Sequence, residues 1–150
     1  MVAVMARYFT FEQASGLLPE VERLLRAAVE ARARYAETET ALSELQKRIQ
    51  MMGGVSVDRE SIGRLKESRA TAAHSLQASL EDIAELGVQV KDLQTGLVDF
   101  PTLYRGEEAL LCWRLGEAAI EYWHGVNDGF RGRKRIDSAF LEQHRGSGQH

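Results

Sequence analysis

A chain of 150 residues, 44% hydrophobic and 27% charged, has room for one domain with a modest core and excludes both disorder and a membrane span. A formal net charge of −3 gives no general attraction to nucleic acid. The single cysteine, Cys112, excludes an internal disulfide framework, and the opening residues carry no export signal, so the cytoplasm is the expected location.

From the N-terminus, Thr10-Phe11-Glu12-Gln13 reads as a capping box that starts a short helix over about residues 11–17. Pro19 then suits the first turn of a new helix, where its missing N–H would be unpaired anyway. Val21, Leu24, Ala28, Ala31, Tyr35, Thr38, Leu42, Leu45, Ile49 and Met52 follow a strict 3-4 spacing. Ile62, Leu65, Arg69, Ala72, Leu76, Ser79, Ile83 and Leu86 repeat it after Gly53-Gly54, with Ser56 or Asp58 as the cap and Gly87 as the stop. One antiparallel register pairs both runs along their whole length, from Ile49–Ile62 to Leu24–Leu86, so the chain is expected to fold back on itself.

The seam is expected to be uneven. Ile49, Ile62, Leu45 and Leu65 make an apolar tip, whereas Thr38, Ala72, Ala31 and Ser79 are small and bury little. Arg69 falls in a core slot opposite Leu42, where it reads as a snorkelling side chain. Towards Pro19, Leu17, Leu18, Leu25, Val29 and Leu80 widen the apolar face, so that base needs a cover.

After Gly87 the units shorten. Val88 to Lys91 alternates, residues 96–101 form a short apolar piece with a Pro101 stop, and Tyr104 to Glu107 carries a turn signal. If Gly116-Glu117 is a two-residue turn, Trp113 faces Ile120 and Leu111 faces Tyr122. Cys112, Arg114 and Glu121 then share the opposite face and His124 points away from them, while a helix over 117–124 is the competing reading. The expected fold is therefore mainly α: a long antiparallel helical hairpin, or coiled coil, over 11–52 and 58–87, with a small C-terminal β-hairpin or irregular element over 88–136 packed on its base. Residues 1–136 make a single domain and 137–150 a mobile tail.

No phosphate-cradling glycine loop, paired-histidine helix, cysteine pair or serine elbow appears. Asp99, Cys112, Glu121 and His124 carry the donor types of a transition-metal site. On the expected pairing they do not converge, which favours the plainer reading of a buried cysteine, a hydrogen-bonded aspartate and an Arg114–Glu121 ion pair. Arg131-Gly132-Arg133-Lys134-Arg135 is a basic run, either solvated or a contact for RNA or the ribosome. Because Trp113 and Trp123 fall on different faces in that pairing, Trp123 and Phe130 are candidates for a partner surface.

Several segments together carry a family resemblance. They are Tyr8-Phe9-Thr10 with Glu12 and Ala14, Leu17-Leu18-Pro19, Gly96 to Pro101, Leu111 to Glu117, Tyr122-Trp123-His124, and Gly129-Phe130 with Gly132-Arg133. With these the chain resembles the bacterial and archaeal domain-of-unknown-function 2203 family from Arg7 to about Ile136. The resemblance implies a helical hairpin with a compact C-terminal element and brings no activity with it. Ala118 stands where the family often has proline.

The function expected from these residues is a non-enzymatic interaction scaffold without a cofactor, self-associating as a homodimer through its helices or binding another protein and not a membrane; RNA or ribosome association through Arg131 to Arg135 ranks third and weakest, given the acidic chain. The second reading is a small-ligand or metal site in the C-terminal element, with Asp99, Arg114, Glu117, His124 and Arg133 as ligand-binding residues.

Overall fold

The computed structural model describes residues 7–52 and 59–147; the expected Gly53-Gly54 tip and the Ser56 or Asp58 cap lie outside the described residues. Helix α1 spans Phe11–Met51 and α2 spans Arg59–Glu85. The capping box is in place: the Thr10 hydroxyl accepts from the Gln13 amide at 3.1 Å, and the Gln13 side chain accepts from the Thr10 amide at 3.0 Å. Pro19 does not begin a second helix but lies inside α1. Its ring removes one backbone hydrogen bond. Ala14 and Val21 are fully buried on either side of it, so the packing of one continuous apolar face outweighs that loss.

The two helices pack in the expected hairpin, with Val21, Leu24, Ala28, Ala31, Thr38 and Leu42 buried against a seam that includes Ala72, Ser79 and Ile83. The small side chains of the middle, Ala31, Thr38, Ala72 and Ser79, are buried, so this stretch is better covered than the tip, although Tyr35 is exposed. Leu45, Ile49, Ile62 and Leu65, expected as a full apolar tip, are only half-buried. Arg69 is half-buried too, and its guanidinium meets Glu39 at 2.7 Å. Gly87 closes α2 at φ +90°, a left-handed conformation suited to glycine, and the Val88 amide bonds back to the Ile83 carbonyl.

The C-terminal element is larger than a small β-hairpin, which corrects the expectation of a mainly α fold. It contains strands β1 (Gln89–Asp92), β2 (Leu97–Tyr104), β3 (Glu107–Arg114), β4 (Tyr122–Gly125), β5 (Lys134–Arg135) and β6 (His144–Arg145). They form one antiparallel sheet in the order β1-β2-β3-β4-β5, with β6 also on β2, so the described residues are 57% helical and 21% strand.

Pro101 is not a stop. It sits inside β2, and its carbonyl accepts from the Phe9 amide at 2.7 Å. The N and C=O of a strand residue point to the same edge. Its missing N–H therefore falls where β2 has left β1, last paired at Asp99, and not yet met β6 at Leu103. The tight hairpin turn is Arg105-Gly106, both at positive φ (53° and 81°), and not Gly116-Glu117.

The stretch expected as a mobile tail is folded over most of its length. Asp137 accepts from the Phe140 amide to cap a short helix α3 (Ser138–Gln143). Phe140 is 1% exposed and stacks on Tyr104 and Trp123. The inner face of the sheet places Val98, Phe100, Leu111 and Trp113 against Phe9, Val21, Leu25 and Ile83, so the wide base of the hairpin is covered by a sheet. No helix among the described residues is long and apolar enough to cross a membrane.

Candidate metal centre

The register of β3 and β4 decides which side chains meet. Leu111 pairs with Trp123, Leu110 with His124 and Cys112 with Tyr122. This is one residue away from the Leu111–Tyr122 pairing expected for a two-residue turn, and a slip of one residue exchanges the faces of a strand. Residues 115–121 form a longer connection, neither helix nor strand. The Trp113 indole holds it by donating to the Glu117 carbonyl at 3.0 Å, and the Glu117 side chain accepts from the Arg114 amide at 2.7 Å.

This register corrects two expectations. Trp123 joins Trp113 on the inner side, packed with Tyr104 and Phe140, and so is not an exposed partner surface. His124 moves to the outer side, where Asp99 faces Cys112 directly across β2 and β3.

On that outer face Asp99, Cys112 and His124 are all buried, and one potential ligand atom from each lies within 4.8 Å of the other two. Tetrahedral zinc holds nitrogen and oxygen at about 2.0–2.2 Å and sulfur at about 2.3 Å, which spaces its ligands about 3.4–3.6 Å apart. Carboxylate, thiolate and imidazole are the donor types zinc takes.

Two details of the polar contacts point the same way. His124 Nδ1 lies 2.8 Å from the Gly125 carbonyl, which can only accept, so Nδ1 carries a proton. The other ring nitrogen, Nε2, then faces Asp99 Oδ1 at 3.0 Å. Two electron-rich atoms at this distance require a cation with them, either a proton shared between Nε2 and the carboxylate or a metal ion. A ring whose far nitrogen is fixed on a backbone carbonyl is also the usual posture of a metal-binding histidine. Asp99 Oδ2, in a side chain 1% exposed, has no hydrogen-bond partner among the described residues. A buried carboxylate oxygen left so costs free energy unless something binds it.

Burial pushes the Cys112 thiol up from 9.0 to about 12, with the Asp99 carboxylate adding to the rise and Arg133 opposing it. Both ring nitrogens of His124 have other partners, so the imidazole does not activate the thiol, and with its pKa pushed up a cysteine nucleophile is disfavoured. The folded state holds the thiol proton more tightly than the unfolded chain does. Its contribution to stability is therefore full below about pH 9 and is lost as pH rises towards 12. In metal-free protein the urea midpoint should fall more steeply between pH 9 and 11 than in Cys112→Ala, which has nothing to titrate there. Parallel slopes would contradict this assignment.

The remaining sequence candidates surround the centre, and of them Arg133 also interacts with the Cys112 side chain. Arg133 pairs with both carboxylate oxygens of Glu117 at 3.0 and 3.1 Å. Its guanidinium lies 4.1 Å from the Tyr122 ring and 4.0 Å from the Phe130 ring. Burial alone would lower the Arg133 pKa, but the Glu117 partner outweighs that and raises it. Arg114 rests over Phe130 rather than reaching Asp99, and Glu121 is exposed and outside the cluster, which corrects its assignment as a ligand. Of the basic run, Lys134 and Arg135 also lie over aromatic rings, those of Trp123 and Tyr122.

Beside the centre opens a cavity of about 250 Å³ lined in part by Asp99, His124, Lys91, Leu110, Val126 and Phe130. Lys91 was not a sequence candidate. The signal for it is a bulge: β1 pairs Val90 with Val98 and then Asp92 with Leu97, so Lys91 is the extra residue between them. Bulges of this kind re-aim side chains next to sites.

A helical hairpin capped by an antiparallel sheet, with a buried Asp-Cys-His cluster on the sheet's outer face, defines the class of protein. The chain belongs to the family described as uncharacterized conserved protein (DUF2203), whose model matches residues 7–136. No curated protein and no solved structure matches it.

Proposed function

We propose that this protein binds a transition-metal ion, zinc by donor type, through Asp99, Cys112 and His124. The observation that carries the reading is the convergence of three buried ligand atoms within 4.8 Å, one of them on a carboxylate whose other oxygen has no partner. Structural zinc sites are closed by four protein ligands, whereas catalytic ones use three and leave a position open. Three ligands beside a cavity fit the second pattern. In this reading the helical hairpin is a support that holds the sheet's inner face while the outer face carries the centre.

An interaction scaffold that self-associates through its helices rests on one feature, an apolar groove of about 520 Å³ along α2 lined by Tyr35, Leu76 and Leu80 among others. The metal reading rests on several independent ones, and the geometry favours it. Elemental analysis of protein purified without chelator should find about one zinc per chain in wild type and a small fraction of that in Cys112→Ser. Wild type that holds no stoichiometric metal, and takes up none after metal-free preparation, would refute it.

A further inference from the structure

Resting on the metal reading, we propose that the open coordination position takes a small organic monoanion of carboxylate type, which enters through the cavity beside Asp99 and His124. The walls divide the work. Asp99 and His124 line the cavity and are both buried, so a metal held between them is reachable from the cavity side. Leu97, Leu110, Val126 and Phe130 give apolar surface for a short hydrocarbon body.

Charge selects the head group. With Asp99 and Cys112 as anionic ligands and His124 neutral, a divalent ion is formally neutralised and keeps one Lewis-acid position free. Lys91, aimed onto this face by the β1 bulge, is the one cationic side chain among the described residues lining the cavity. Of the two acidic lining residues, Asp99 is a proposed ligand and Asp128 is engaged by its own loop, where its carboxylate accepts from the Gly125 amide at 3.3 Å. A carboxylate on the metal therefore shares its cavity with the ammonium. The volume limits the ligand, since about 250 Å³ holds roughly eight groups of water size at ~30 Å³ each. A short-chain monocarboxylate fits within that volume.

The test uses the full chain loaded with Co²⁺, kept reduced with a phosphine so that no added thiol competes. A near-ultraviolet thiolate-to-cobalt band, absent in Cys112→Ser, reports the metal on the proposed ligands, and the visible d–d bands report its fourth position. Titration with butyrate should shift the d–d bands saturably while the thiolate band persists. Butyramide, of the same shape and uncharged, should not. Lys91→Gln should weaken butyrate binding by about fivefold, the upper range for one exposed charge contact, and leave the cobalt spectrum without butyrate unchanged. A persistent thiolate band with no butyrate response would overturn the ligand proposal and leave the metal site standing. An equal response to butyramide, or a Lys91→Gln affinity equal to wild type, would overturn the anion selection. A missing thiolate band overturns the metal reading itself.

Discussion

Zinc should raise the thermal midpoint of the metal-free protein by roughly 8–16 °C when free metal stands about a thousandfold above its dissociation constant. Binding to the folded state alone adds about 4 kcal/mol under that condition. For a chain of this length each kcal/mol moves the midpoint by roughly 2–4 °C. The readout is the difference between midpoints with and without metal, measured separately for each variant, so a change in basal stability does not enter. Cys112→Ser and Asp99→Asn should each lose most of that difference, because each removes a ligand whose charge helps neutralise the ion. Glu121→Ala should keep all of it, since Glu121 is exposed and lies outside the cluster.

The competing explanation of the same residues is a buried Asp99–His124 ion pair with no metal. It makes a different forecast. Removing one partner of a buried pair costs about 3–5 kcal/mol whether or not zinc is added. Asp99→Asn would then lower both midpoints equally, and wild type would show no zinc difference to lose. Calorimetry on three variants and wild type separates the two explanations.

The half of the fold that reads from sequence is the half built on local repetition. The heptads name the hairpin, because each buried position is fixed by its neighbours three and four residues away. The capping box at Thr10 and Gln13 is equally local, and it formed as read. The sheet is different. Pro101 reads as a stop because proline lacks an N–H, and only the gap in β2's edge pairing, where Phe9 docks, makes it harmless. Arg105 gives no hint that it takes a left-handed conformation. Phe140 is a lone aromatic in a polar segment, with no periodicity to announce that it fills the core.

The site suffered from the same non-locality in a sharper form. Its residue types are visible in the sequence, which offers Asp99, Cys112, Glu121 and His124 as metal-ligand types. What sequence could not supply was the register. The connection to β4 runs over residues 115–121 and carries the Trp113–Glu117 contact, β4 pairs one residue away from the two-residue-turn register, and His124 lies on Cys112's side of the sheet while Glu121 is outside the cluster. A shift of one residue in strand pairing thus separates the plain reading of these residues from the metal one.

Phe140→Ala should cost about 3–5 kcal/mol, the range for removing a buried phenylalanine ring, and lower the midpoint by roughly 6–20 °C. The ring is 1% exposed and lies 5.0 Å from Tyr104 and 4.7 Å from Trp123 by ring centroids. It also anchors the C-terminal residues beyond it. His144, at the start of β6, accepts from the Phe11 amide through Nε2 at 3.0 Å, and the Ser147 amide bonds to the Tyr8 carbonyl. The segment after Ile136 is thereby tied to the first turn of α1, and loss of the ring weakens both ends of the chain at once. Trp123 fluorescence should shift to longer wavelength in the variant as water reaches the emptied stack. A segment that was merely a tail would give a change below about 0.5 kcal/mol, as surface substitutions do. The zinc difference should survive intact in this variant, because Phe140 packs with the inner-face Trp123 whereas the metal cluster occupies the outer face. Effects at sites that share no partner add. If Phe140→Ala instead abolished the zinc difference at temperatures where the variant is still folded, the two faces of the sheet would be coupled, and the hairpin and tail would have to be counted as part of the site.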